Sequence, residues 1–338
     1  MDINGYEEFA KEIAAKTGFV LGERIYQGEY YTADRIRDVI YEGTYEGKPA
    51  VLKIYDDPRL DYEASNQIAY NKANTSTILR APEVYAYDMI TPQKGWLIME
   101  KLPDVGAFFT SPMEDKAEFA RLFTEYWRSF PKEPTRELAL VERMEAHRYH
   151  LYKIDRWLEL ANNAEAKAML AGKRAFLTDE FLKKYGQTLD AIEEEFKRRR
   201  MVWCHGHFKP QELYKISDTQ YFLTDFAHNQ MHMEGTDLAF IIWADWMISA
   251  DWHLHYGEWK AGIGDWVREL RAVARELGLV RYEELMRASL LERTLGTILA
   301  DVCASDKPQE EKEMRLALLM SFLDDLLDET MFRENFCK

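Results

Sequence analysis

The segment at residues 204–226, CHGHFKPQELYKISDTQYFLTDF, constrains the fold more than any other part of the chain. A His-Gly pair, His205-Gly206, opens a polar loop. Two short apolar runs around a polar turn then predict a hairpin, and Asp225-Phe226 follows its second strand. A carboxylate that ends a buried strand is costly unless it is paired or binds a cation. The segment therefore predicts a polar loop and a functional Asp225 beside each other.

The chain divides into a strand-rich part and a helical part. Runs rich in β-branched and aromatic residues predict strands at residues 19–26, 38–45, 49–55, 84–89 and 96–99. Asp61 is expected to cap a helix from Tyr62 to about Lys72. After residue 110 the apolar spacing is helical, and Ser111-Pro112-Met113-Glu114 predicts a helix start with Ser111 as the N-cap.

We therefore predict an α+β fold with two lobes. Residues 1–103 are expected to form a small N-terminal lobe with a five-stranded sheet and one helix. Residues 104–338 are expected to form a larger helical lobe that carries the loop at 205–212.

Charge and cysteine content narrow the classes of function. The net charge of −15 disfavours nucleic acids and anionic membranes, because both attract clustered Lys and Arg. Cys204, Cys303 and Cys337 are scattered and odd in number, which is typical of a reducing compartment. No stretch is apolar enough for a signal core or a membrane span. We expect a soluble cytoplasmic protein.

Lys53 and Glu63 form the second candidate group. Lys53 lies in a predicted strand, within Ala-Val-Leu-Lys-Ile, from which its ammonium group can reach phosphate oxygens. Apart from Asp61, Glu63 is the only acidic residue between Asp61 and Arg80, so it is the expected partner of Lys53.

Together these residues resemble the aminoglycoside phosphotransferase and choline kinase-like family, which has the protein-kinase-like fold. That family has His-Gly-Asp, four residues and Asn, followed by Asp-Phe or Asp-Trp and then Asp-Leu-Ala. The corresponding elements in this chain are His205-Gly206-His207, Glu212, Asp225-Phe226 and Asp237-Leu238-Ala239.

The resemblance implies a site for ATP with Mg²⁺ or Mn²⁺ between the lobes. It implies that Lys53 contacts the phosphates and that Glu63 holds Lys53. Met99, Glu100 and Leu102 would contact the adenine. The acceptor would be a small molecule with a hydroxyl or amine group, and the metal ligands would be Glu212 and Asp225.

Two departures from the family pattern concern the reaction itself. His207 stands where the family has its catalytic Asp, and Glu212 stands where it has the metal-binding Asn. We therefore expect a pseudokinase-like protein in which phosphoryl transfer is impaired or absent. The alternative is an active phosphotransferase in which His207 is a substitute base, since a neutral imidazole can accept a proton near neutral pH.

A third reading is a transition-metal site. The spacing His205-x-His207-x4-Glu212 is that of a cupin metal motif, but cupins are all-β and this chain is largely helical after residue 110. An ion bound by His207, Glu212, Asp225 and His228 remains an alternative without the cupin fold, because imidazole and carboxylate suit Fe, Mn or Zn.

Tryptophans recur every seven residues at Trp252, Trp259 and Trp266. They predict either helix packing in the core or an aromatic pocket for an amine, with Asp245, Asp251 or Glu258 as the anion. Core packing is the simpler interpretation.

Overall fold

The structure is a computed structural model, and it describes residues 2–30, 33–91, 93–103, 106–172 and 175–336. It confirms the α+β architecture, with a sheet in the N-terminal part and helices in the C-terminal part. The boundary expected after residue 103 stays a prediction, and residues 104 and 105 lie outside the described chain.

The N-terminal lobe is an antiparallel sheet with a helix on one face. Its elements are α1 (Ile3–Thr17), β1 (Val20–Tyr30), β2 (Ala33–Tyr45), β3 (Lys48–Asp56), α2 (Glu63–Ala73), β4 (Leu79–Arg80), β5 (Val84–Thr91) and β6 (Lys94–Glu100). The five-stranded sheet of this described region has the order β1-β2-β3-β6-β5. Tyr6, Ala10 and Ile13 of α1 pack on the buried side chains of the sheet.

The C-terminal lobe is built on helices. They are α3 (Lys116–Ser129), α4 (Ala146–Leu170), α5 (Asp179–Phe196), α6 (Thr236–Ile242), α7 (Tyr256–Glu276), α8 (Tyr282–Gly296), α9 (Gln309–Leu327) and α10 (Glu329–Phe336). Two of them continue as π-helix, α6 through Trp243–Met247 and α8 through Thr297–Cys303. None of the described helices has both the length and the apolar character required to cross a membrane.

Short strands of the C-terminal lobe carry the polar loop. They are β7 (Met201–Cys204), β8 (Leu213–Lys215), β9 (Tyr221–Leu223) and β10 (Gln230–Met233). The pair β8–β9 is the expected hairpin, and β7 pairs antiparallel with β10. Strand β4 pairs in parallel with β9, so the segment after α2 also contacts the C-terminal lobe.

Three local expectations were wrong. The N-terminal part has a helix, α1, in addition to the one expected. Helix α2 begins at Glu63 after Tyr62, without a side-chain cap from Asp61. Helix α3 begins at Lys116, with Asp115 rather than Ser111 as the N-cap. The Ser111 hydroxyl accepts a hydrogen bond from Gln211 instead of capping a helix, and Glu63 at the start of α2 binds Lys53.

Two of the three tryptophans in the repeat belong to the core. Trp259 and Trp266 are buried in α7, while Trp252 precedes that helix. The Trp266 Nε1 donates to Asp245 Oδ2 at 2.8 Å, inside the protein. Among the cysteines, Cys204 and Cys303 are buried free thiols, and Cys337 lies outside the described residues.

Candidate functional site

Lys53 and Glu63 form a buried ion pair between β3 and α2. Lys53 Nζ lies 2.6 Å from Glu63 Oε2, and the two residues are 8% and 3% exposed. Burial lowers the pKa of Lys53, but the carboxylates of Glu63, Asp38 and Asp225 together raise that pKa above its ordinary value. Lys53 is therefore a fixed cation that faces the side of the cleft where Asp225 lies.

His205 and Gly206 determine the path of the loop. The His205 ring is fully buried, its Nε2 lies 2.8 Å from the main-chain oxygen of Thr224, and burial lowers its pKa to about 3. Gly206 has φ 72°, and a Cβ there would lie 2.5 Å from the main-chain oxygen of His228. The loop therefore packs against the segment that follows β9, which brings His207 to Asp225.

Asp225 is the centre of a cluster of ionisable side chains. It has φ 62°, a left-handed conformation that Asp tolerates better than most residues and that recurs at functional sites. Its Oδ2 lies 2.5 Å from His207 Nδ1 and 3.6 Å from His228 Nε2. Burial raises the pKa of Asp225, but His207, His228 and Lys53 outweigh it and hold this pKa well below its usual range. Asp225 is therefore ionised.

Glu212 lies at the edge of the same cluster, held by its neighbours. It ends a short 3₁₀ turn at Pro210–Glu212. Its Oε2 accepts a hydrogen bond from Thr224 Oγ1 at 2.7 Å, and its Oε1 lies 3.2 Å from Lys209 Nζ and 3.6 Å from His207 Nδ1. The structure therefore brings His207, Glu212 and Asp225 together, as the sequence predicted.

The segment expected to contact adenine is the end of β6. The Met99 side chain packs against the buried cluster of Tyr55, Leu60, Ala64 and Leu97, as does Ala227 in the turn after Asp225. The Glu100 carboxylate binds Arg80 through two hydrogen bonds of 2.6 and 2.8 Å, and its main-chain N–H donates to the Glu83 oxygen at 2.8 Å. Leu102 is partly buried just beyond the strand.

Several cleft residues were not singled out from the sequence. Asp38, on β2, is 2% exposed, raises the pKa of Lys53 and lies 2.8 Å from Arg37 Nε. Strand alternation does not distinguish such a residue from a solvated one, so no local signal could have found it. The Phe240 ring centroid lies 5.6 Å from that of His207, and the Arg293 guanidinium lies 5.1 Å from the Phe240 ring centroid.

The donor atoms of the cluster fit Mg²⁺ less well than the family pattern implies. Mg²⁺ requires near-octahedral oxygen ligands at about 2.1 Å. Here the Asp225 Oδ2 is in contact with an imidazole, and each Glu212 oxygen has a protein donor within 3.2 Å. Two carboxylates are present for a divalent ion, but a nitrogen donor stands between them.

Comparisons with known proteins give matches in structure alone. No protein-family model matches the chain, and no curated protein sequence matches it. Choline kinase LicA from Streptococcus pneumoniae is similar over 94% of this chain and 98% of its own, with 11% identity and a TM-score of 0.55.

Two antibiotic phosphotransferases are similar to about the same degree. Aminoglycoside phosphotransferase APH(4)-Ia, in a complex with AMP-PNP and hygromycin B, matches 93% of this chain and 97% of its own at 11% identity and a TM-score of 0.54. Spectinomycin phosphotransferase APH(9)-Ia, with ADP and spectinomycin, matches 96% and 98% at 9% identity and a TM-score of 0.52. The chain therefore has the two-lobed protein-kinase-like fold of the aminoglycoside phosphotransferases and choline kinase.

Proposed function

We propose that this protein binds a nucleotide between its lobes and that its phosphoryl transfer is impaired or absent. The observation that carries the proposal is the combination of an intact Lys53–Glu63 pair with an altered loop. The pair keeps a buried cation in the cleft, which suits nucleotide phosphates. His207, in contact with Asp225, occupies the place of the family's catalytic carboxylate.

The solved relatives support a nucleotide as the ligand. The similar antibiotic phosphotransferases hold ADP or AMP-PNP together with their antibiotic. By analogy, ATP would bind with its phosphates at Lys53 and its adenine at Met99, Glu100 and Leu102. A divalent ion would bind at Asp225 and Glu212, and the poor fit for Mg²⁺ favours Mn²⁺.

The loss of a catalytic carboxylate is the reason to expect weak transfer. The family's Asp is an anion that orients and deprotonates the acceptor hydroxyl. His207 has no negative charge, and its Nδ1 is already in contact with Asp225. An acceptor would reach only Nε2 of the ring. Transfer should therefore be slow or absent.

The same contact supports the second candidate, an active phosphotransferase with His207 as the base. A carboxylate that contacts one imidazole nitrogen orients the ring and makes the other nitrogen a better base. Asp225 would then position His207, and Nε2 would take the proton of a hydroxyl on a small molecule. Phe240, with Arg293 over its ring, is the aromatic neighbour that such an acceptor would meet beside His207.

Calorimetric titration of ATP into the untagged chain, with EDTA, Mg²⁺ or Mn²⁺, tests nucleotide binding. We expect binding that the double variant Lys53→Met/Glu63→Gln weakens at least tenfold, which is about 1.4 kcal/mol. This variant removes both charges of the pair, so no buried charge is left alone. Lys16→Met, at a side chain that is 70% exposed, is the control and should bind as the wild type does. Absence of ATP binding in all three conditions would overturn the proposal.

Phosphate transfer to a panel of hydroxyl and amine acceptors separates the two candidates. With impaired transfer, the wild type is inactive or nearly so, and His207→Asp/Glu212→Asn raises its turnover. With His207 as a base, the wild type is active and His207→Asn abolishes transfer while ATP still binds. If the wild type transfers phosphate and His207→Asn transfers it at the same rate, both candidate functions are contradicted.

A further inference from the structure

We infer that His207, Asp225 and His228 form a binding site for a first-row transition-metal ion. One ligand atom from each of these residues lies within 4.8 Å of the other two, and no other group of at least three metal-ligating side chains in the described residues comes together in this way. The His207 and His228 rings are 4.3 Å apart, on the same side of the Asp225 carboxylate. His228 has no part in the phosphotransferase pattern and is the residue that distinguishes this site from a kinase magnesium site.

The fold holds the three side chains in place before any ion binds. Asp225 and His228 are three residues apart, and the 3₁₀ turn at Phe226–His228 brings both to one side. Gly206 allows the loop to approach His228 so closely that a Cβ would be 2.5 Å from its main-chain oxygen. A buried hydrogen bond of 2.9 Å from Asn66 to the Phe226 carbonyl holds the turn. The site is therefore made of segments that are already locked together.

The donor set determines the class of ion. Two imidazoles and one carboxylate suit Zn²⁺, Fe²⁺, Co²⁺ or Mn²⁺, whereas Mg²⁺ selects oxygen ligands. Bonds of 2.0–2.1 Å in a tetrahedral site separate ligand atoms by about 3.4 Å. The His228–Asp225 separation of 3.6 Å is close to that value, and the His207–Asp225 contact of 2.5 Å would open by about 0.9 Å. The ligand nitrogens of His207 and His228, which lie within 4.8 Å of each other, would also have to reach about 3.4 Å, so side-chain rotations of the two histidines would complete the site.

The surrounding charges are compatible with a divalent ion. Asp225 supplies the negative charge of the ligand set, and Glu212 lies at its edge, with Oε1 3.6 Å from His207 Nδ1. Lys209 is paired with Glu212, and Lys53 is paired with Glu63, so each nearby cation has its own carboxylate. Three protein ligands with an open position are the arrangement of catalytic metal sites.

The site lies in the cleft of the proposed function, but its ligands come from the protein alone. Metal binding can therefore be measured without nucleotide. If ATP binds and the metal does not, this inference fails and the proposed function stands. If the metal binds and ATP does not, the proposed function fails and this inference stands.

Titration of Co²⁺ into the untagged, EDTA-treated chain, followed by visible absorption, is the experiment. We expect one Co²⁺ per chain and no displacement by millimolar Mg²⁺. His207→Asn and His228→Asn should each weaken binding at least about tenfold, since even the loss of an outer contact costs that much in known sites. His253→Asn is the matched control, because His253 also pairs with an aspartate, Asp251, but with no third ligand.

X-ray absorption of the wild-type Zn²⁺ complex provides a readout that does not depend on whether the variants fold. Two imidazoles in the first coordination sphere would support the inference, and an all-oxygen sphere would overturn it. Co²⁺ binding of equal strength in the wild type and in both histidine variants would also overturn it, as would displacement by millimolar Mg²⁺.

Discussion

Asn66 of α2 donates a hydrogen bond of 2.9 Å from its Nδ2 to the main-chain oxygen of Phe226, 160 residues further along the chain. Its Oδ1 accepts a hydrogen bond of 2.6 Å from Thr135 Oγ1. Glu63, which binds Lys53, precedes Asn66 by one turn of the same helix. One helix therefore connects the cation of the N-terminal sheet with the turn that carries Asp225.

Replacement of Asn66 should loosen that connection. Asn66→Ala leaves the buried Phe226 oxygen with only the Asn229 N–H at 3.4 Å and removes the acceptor of Thr135 Oγ1, and each lost hydrogen bond contributes about 1 kcal/mol. We expect this loss in the free energy of unfolding by urea, together with faster hydrogen exchange at residues 225–229. Asn71→Ala is the control, because Asn71 bonds Ala81 from the same helix and does not touch this turn. Equal exchange at residues 225–229 in both variants would contradict the prediction.

The Lys53–Glu63 pair should show strong thermodynamic coupling. Lys53→Met leaves Glu63 buried without its cation, which costs about 3–5 kcal/mol. Lys53→Met/Glu63→Gln removes both charges and should be more stable than Lys53→Met alone. Urea unfolding of the two single variants and the double variant measures the coupling. Lys16→Met, in an exposed pair with Asp88, should change stability by less than about 1 kcal/mol. If the double variant loses as much free energy of unfolding as the two single variants together, the pair is not coupled.

Local patterns in the sequence were sufficient for the sheet, the hairpin and the candidate residues of the loop. Periodic apolar residues predict strands and helices because each element buries its own face. The Lys53–Glu63 pair could be expected because Glu63 is the only acidic residue besides Asp61 between Asp61 and Arg80. The resemblance then aligned His207, Glu212 and Asp225, and the structure brings these three together.

The contacts missed from the sequence are those between distant segments. An asparagine in a helix, such as Asn66, has no local feature that indicates a partner 160 residues away. Asp61 and Ser111 are in helix-cap sequences, yet neither caps its helix, and the Ser111 hydroxyl instead bonds Gln211, 100 residues away. The pairing of His228 with Asp225 likewise depends on the turn after β9 and on the close approach of Gly206.

Gly206 should tolerate no side chain. Its φ of 72° is unfavourable for other residues, and the Cβ of Gly206→Ala would lie 2.5 Å from the His228 main-chain oxygen. We expect a loss of about 1–3 kcal/mol in the free energy of unfolding and weaker Co²⁺ binding, because His228 must move. Gly257→Ala is the control, since a Cβ there meets no atom within 4 Å. If Gly206→Ala were as stable as the wild type, the loop would not pack as described.

The buried histidines should make the protein less stable in acid. Burial lowers the pKa of His205 to about 3, below the ordinary value of about 6.5 that it regains on unfolding. Between these values the unfolded chain binds a proton that the folded chain does not. Stability therefore falls as the pH falls through this range, by up to about 1.4 kcal/mol per pH unit from His205. Burial also lowers the pKa of His150 and His232, which add to the effect.

Comparison of His205→Gln with the wild type isolates the part of the pH dependence of stability that comes from His205. The glutamine amide can still donate to the Thr224 oxygen that His205 Nε2 meets at 2.8 Å, but it does not titrate. Urea unfolding at pH 4 to 7 should give a flatter dependence of stability on pH in this variant, with the difference concentrated below pH 6.5. Gly257→Ala, which removes no titratable group and adds a Cβ that meets no atom within 4 Å, should keep the wild-type slope. An unchanged slope in His205→Gln would mean that His205 is protonated in the folded protein and that the loop has room to solvate its charge.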